Sequence, residues 1–286
     1  MFLNQLKTVL LLSVLSGGLF LLGYWMGGAA GLMVAFIMSM MMNFFAYFFS
    51  DKMVLSMYGA QPLDRTKFAN IYDMVEELCY QARIPMPKLW YIDTPMANAF
   101  ATGRNPEHAS VAVTQGILKV LDENELRGVL AHELSHVKNR DILVATIAAT
   151  IATAIGYLAH MLQWAAIFGG SRNRDGERSN GFGALVAAIF MPIAAMLIQL
   201  AISRSREYLA DETGAKMCHD PLALANALEK LHSNVAQQQV QPDSSAQAST
   251  ASLFIVYPFT LEGIMTLFST HPPMEKRVER LRKMVR

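Results

Sequence analysis

The chain has 286 residues, of which 53% are hydrophobic and 16% charged, with a net charge of +1 and a positive mean hydropathy. Soluble globular domains carry charge on roughly 25% of their residues, so the composition argues against one and indicates a membrane protein. No basic stripe with interleaved aromatics suggests nucleic acid, and two cysteines, Cys79 and Cys218, exclude a disulfide framework and fit a reduced cytoplasmic setting.

Between Lys7 and Asp51 there is no charged side chain. Residues 8 to 50 are too many for one bilayer crossing and about right for two, so they predict a helical hairpin turning near Gly27 and Gly28. A single basic residue, a long apolar region and no small-residue cleavage site make this an anchor, not a removed signal peptide. Lys7, Lys52, Arg65 and Lys67 place both ends of the hairpin on the cytoplasmic side.

Two further uncharged stretches, 142–171 and 179–203, are separated by "RNRDGER". They bring the expected transmembrane helices to four. Arg172, Arg174 and Arg178 lie outside if both spans cross fully, which conflicts with the charge rule, so a second hairpin that dips in or is shielded by protein stays open.

The expected organisation is therefore a transmembrane hairpin (1–50), a first catalytic part (51–141), a second hairpin (142–203) and a second catalytic part (204–286). Phe68, Ile71, Tyr72, Val75, Leu78 and Cys79 share one helical face within 64–82. "KLWYI" (88–92), "NAFAT" (98–102) and "SVAVT" (110–114) read as strands of a small sheet. Asp122 and Glu125 have capping-box spacing before the next helix, which is expected to run directly into the third span. Residues 233–252, poor in large apolar groups, read as a mobile loop, with a helix at the C-terminal end.

That capped helix carries "AHELSHVKNRD". His132 and His136 are one turn apart, so both imidazoles can meet one metal ion. Glu133 is rotated about 100° from His132, which leaves its carboxylate beside the metal as a base. A hydrolytic zinc site takes a third protein ligand and keeps one position for water. His160 lies about 36 Å farther along a continuous helix and reads as an interhelical hydrogen-bonding group. The fourth span returns the chain with "SRSREYLADE" (203–212), where Glu207 and Asp211 are the leading candidates. If Glu207 binds, Asp211 one turn on can hydrogen-bond a ligand imidazole. Arg127, Lys138, Arg140 and Asp141 are costly at bilayer depth, so the metal belongs beside the membrane.

"AHELSHVKNRD", "SRSREYLAD", "NAFATG" and "STHPPMEKRVERL" together resemble the HtpX family of membrane-bound zinc metalloproteases, relatives of the prenyl-protein endopeptidases, over nearly the whole chain. The resemblance implies an α-helical membrane protein with an α+β, gluzincin-like catalytic domain. It implies one zinc per chain on His132, His136 and Glu207, Glu133 as general base and Asp211 behind the ligands. Its implied activity is endopeptidase cleavage of misfolded or damaged membrane proteins on the cytoplasmic side of the inner membrane, in stress-related quality control. "NAFATG" resembles a substrate-pairing edge strand, so Asn98, Ala99 and Phe100 are cleft candidates; a plain core strand competes for Phe100. His271 is a candidate for supporting the reaction intermediate, against a structural turn set by Pro272 and Pro273. The rival readings are an intramembrane metalloprotease and a non-catalytic scaffold tied by zinc, for which Cys218 or His219 supplies a fourth ligand.

Overall fold

The structure is a computed structural model that describes residues 2–168, 181–238, 255 and 271–285. The chain forms two compact units, one of residues 1–5, 47–143 and 203–286, the other of residues 6–46 and 144–202.

The described residues of the second unit are helical. Helix α1 (Phe2–Met57) begins and ends in the first unit while its middle belongs to the second. At Gly28 the backbone takes φ 57°, a left-handed conformation that glycine adopts without a Cβ penalty. Leu15 and Leu19 of α1 pack with Ala148, Ile155 and Leu158 of α5 (Asp141–Phe168) and with Ala195 and Ile202 of α6 (Gly181–Cys218). Among the described residues, two segments are long and apolar enough to cross a membrane, Asp141–Gln163 and Val186–Cys218, against the four expected. The Arg172–Arg178 loop lies outside the described residues.

The first unit holds a four-stranded sheet in the order β1 (Gln61–Pro62), β2 (Lys88–Ile92), β4 (Ser110–Thr114), β3 (Ala99–Thr102). The β2 and β4 pair is parallel, whereas β1 on β2 and β3 on β4 are antiparallel, so β3 is an edge. Alternation along the strands divides the side chains: Ala99, Val111 and Val113 join the main core, while Phe100, Ala112 and Ile92 pack with Leu55 at the end of α1.

Helix α2 (Ala69–Ala82) buries Ile71, Val75, Leu78 and Cys79 in that core. It starts later than expected, because the Asp64 carboxylate accepts from the Thr66 N–H and hydroxyl and closes a turn first. After β4 comes a short helix, α3 (Gln115–Val120), capped by Thr114. Helix α4 (Glu123–Lys138) opens with the capping box, Asp122 accepting from Glu125 N–H and Glu125 from Asp122 N–H.

Two further boundaries differ from the sequence reading. α4 does not continue into the next span: it stops at Lys138, Arg140 takes φ 55°, and α5 starts at Asp141. Helix α7 (Pro221–Gln238) extends six residues into the segment read as a loop, with Ser233 returning its hydroxyl to Glu229 O. The rest of that loop, 239–252, lies outside the described residues. Helix α8 (Met274–Lys283) closes the unit and buries Arg277, Val278 and Leu281.

Candidate metal centre

Three elements converge on one buried point. α4 supplies His132, Glu133 and His136 from consecutive turns. α6 comes against it through Gly214, where a Cβ would stand 2.8 Å from His132 N and 2.9 Å from its Cα. That approach presents Glu207 and Asp211 to the histidines, and α8 adds Arg277 from its apolar side.

One ligand atom each from His132, His136 and Glu207 lies within 4.8 Å of the others. The two Nε2 atoms are 3.1 Å apart, His136 Nε2 is 3.5 Å from Glu207 Oε1, and His132 Nε2 is 3.7 Å from Glu207 Oε2. Tetrahedral bonds of 2.0–2.2 Å give ligand separations of about 3.3–3.5 Å, so this spacing suits a zinc-sized cation. Both rings turn their other nitrogen toward a carboxylate. His136 Nδ1 is 2.6 Å from Asp141 Oδ2, and His132 Nδ1 is 3.0 Å from Asp211 Oδ1, an ion-pair contact off the hydrogen-bond line. Both Nε2 atoms thus face one region, and the buried Glu207 Oε2 has no hydrogen-bond partner. A shared cation relieves both conditions.

Glu133 is buried, and its Oε2 accepts from Ala101 N–H on the edge strand at 2.9 Å. Burial raises its carboxyl above the ordinary glutamate range, only partly offset by His132 and His136. For His136, burial acts downward but the Asp141 hydrogen bond and the Glu207 charge outweigh it and hold the imidazole at about 9. The proton so retained is one that an incoming metal displaces. His271 Nε2 is 3.7 Å from Glu207 Oε2, and burial pushes this imidazole down to about 4, leaving it neutral at physiological pH.

Three partners escaped the sequence reading. Arg277, 2% exposed, makes a two-pronged contact with Asp211, Nε to Oδ2 at 2.8 Å and Nη2 to Oδ1 at 2.7 Å. Burial opposes its charge, but Asp211 outweighs the penalty and holds the guanidinium above the ordinary arginine range. The signal available was its position: one turn before Leu281, a charge on the apolar stripe of an amphipathic helix. Asp141 and Arg206 are the other two, and the expectation of a continuous helix hid the first.

Asn98 is buried and its Oδ1 accepts from Ile255 N–H, and Phe100 packs its ring 5.9 Å from Tyr58. Ala99 and Ala101 alternate with them, and Ala101 N–H points toward Glu133, so the open side of β3 faces the site. Cys218 directs its Sγ to Ala215 O and Asp220 O, and neither it nor His219 belongs to the metal-ligand group among the described residues.

A His-Glu-x-x-His helix beside a small mixed sheet, with a glutamate from a later helix next to both histidines, defines the metalloprotease class. Residues 65–285 match Peptidase family M48, and the chain belongs to that family. A protein called Protease HtpX homolog from Syntrophobacter fumaroxidans is 53% identical over 98% of this chain and 99% of its own length. Its counterpart from Aquifex aeolicus is 52% identical over 95% and 90%. The crystal structure of S. mikatae Ste24p shares the fold, with a TM-score of 0.61 at 17% identity, covering 98% of this chain and 66% of that one. The HtpX resemblance is thus borne out, and the chain is a membrane-associated metalloprotease.

Proposed function

We propose that the chain is a zinc-dependent endopeptidase that holds one zinc on His132, His136 and Glu207, with Glu133 as its general base. The observation that carries this is the juxtaposition of three mutually adjacent ligand atoms with the buried Glu133 carboxylate, which shares its helix with the two histidines. A bound divalent cation at such a site supplies Lewis acidity, polarising a peptide carbonyl and acidifying water.

Glu133 takes the proton of the attacking water and passes it to the leaving amine. Its raised proton affinity suits that exchange, and the Ala101 N–H fixes its orientation. Asp211 and Asp141 orient the two imidazoles, and Arg277 keeps Asp211 ionised in place. Neutral His271 is positioned near Glu207 to donate a hydrogen bond to the oxygen that gains charge. An extended substrate adds to the open side of β3, engaging the main chain at Ala99. Asn98 and Phe100 then shape that strand from behind, since their side chains have other partners.

The catalytic parts, 51–141 and 204–286, face the cytoplasm beside the inner membrane, held by two hairpins within 1–50 and 142–203 that make four spans. Lys138, Arg140 and Asp141 between the motif and the apolar run support this placement. The substrates are misfolded or damaged membrane proteins, a class that rests on the HtpX resemblance.

Cleavage of an unfolded protein such as casein by the purified chain tests the reading. Glu133→Gln is expected to retain metal and lose about 10²–10⁴-fold in rate. Wild-type turnover by that variant would refute the assignment.

A further inference from the structure

The break between α4 and α5 decides where Asp141 points. On an unbroken helix Asp141, five residues past His136, would be rotated about 140° from it and face elsewhere. With Arg140 at φ 55°, Asp141 Oδ2 instead lies 2.6 Å from His136 Nδ1. A non-glycine residue in that region costs roughly 1 kcal/mol or more, so the junction persists because other contacts outweigh the strain.

Arg206 supplies those contacts. It is 8% exposed, its Nε donates to Asp141 Oδ1 at 2.5 Å, and its Nη2 donates to the same oxygen and, at 2.8 Å, to Asn139 O. One guanidinium thus holds the carbonyl that ends α4 and the side chain that begins α5. We infer that Arg206 and Asp141 are positioning residues for the metal centre: Arg206 fixes Asp141, and Asp141 fixes the His136 ring with Nε2 turned toward Glu207. The inference rests on reading His132, His136 and Glu207 as metal ligands.

Place in the chain adds a second consequence. Asp141 immediately precedes the apolar insertion 142–203, and Arg206 follows it within one helical turn. The pair therefore fastens the points where the chain leaves the first unit and re-enters it.

Zinc dissociation constants for the full chain in detergent, measured by chelator competition, test the inference, together with visible spectra of the cobalt-substituted forms and thermal unfolding in EDTA. Arg206→Met and Asp141→Asn are each expected to weaken zinc binding about 10–100-fold and to shift the cobalt bands. The double variant leaves neither charge unpaired and is expected to fold, yet to bind zinc no more weakly than the worse single variant, because both act through one contact chain. Arg206→Lys keeps the charge without the planar fork and is expected to recover unfolding temperature but not affinity. Zinc affinity within threefold of wild type in the double variant, with unchanged cobalt bands, overturns the inference even if unfolding temperatures fall. Wild-type protein that binds no zinc overturns the ligand assignment instead.

Discussion

Gly214 meets His132 so closely that any Cβ at position 214 would press on the His132 backbone, 2.8 Å from its nitrogen. Two effects of Gly214→Ala oppose each other. In a free helix the change gains roughly 0.5–1 kcal/mol from lower backbone entropy, whereas overpacking against backbone costs about 1–3 kcal/mol. The atoms met are main chain and cannot swing aside, so the clash wins. Gly214→Ala is expected to lower the unfolding temperature and to weaken metal retention as α6 is pushed off α4, with Gly214→Val worse in both. Unfolding scans and metal analysis of the two variants check this.

Arg277 and Asp211 form a buried ion pair whose partners are 2% and 3% exposed. Removing one member of such a pair leaves an uncompensated charge, a loss of about 3–5 kcal/mol. Arg277→Met is expected to destabilise the chain by that amount, and Arg277→Met with Asp211→Asn by clearly less. Denaturant titration of the three proteins in detergent measures it; equal destabilisation by the single and double variants would contradict the pairing.

Cys79 gives the pH prediction. Burial pushes its thiol from an ordinary value of 9.0 to about 12. The unfolded chain loses this proton first, so the stability tied to Cys79 is complete below pH 9 and is lost as pH rises toward 12. Cys79→Ala is expected to flatten the fall in stability across that window. At pH 8 the folded protein is expected to leave Cys79 unalkylated, and mass spectrometry of iodoacetamide-treated protein reads this directly.

Local rules made much of the catalytic unit legible. Short runs of strand-forming residues with turn residues between them located β2, β3 and β4, the Asp122 and Glu125 spacing located the start of α4, and four-residue spacing put His132 with His136 and Glu207 with Asp211. β1, only Gln61–Pro62, was not legible, because two residues become a strand only when β2 is there to pair with them. Asp141, Arg206 and Arg277 were missed for a related reason. Their roles depend on a left-handed residue at 140 and on elements packed from distant parts of the chain, which no local period encodes. The end of α7 shows the converse error, a polar composition read as loop where helix hydrogen bonding simply continues to Gln238.

The central claim is that segments on either side of the apolar insertion, one bringing His132 and His136 and the other Glu207, jointly bind a single metal ion. Metal content of purified Glu207→Ala against wild type, by inductively coupled plasma mass spectrometry, is the most direct measurement. The expected result is close to one zinc per wild-type chain and almost none in a variant that remains folded. Full zinc occupancy in folded Glu207→Ala would contradict the claim.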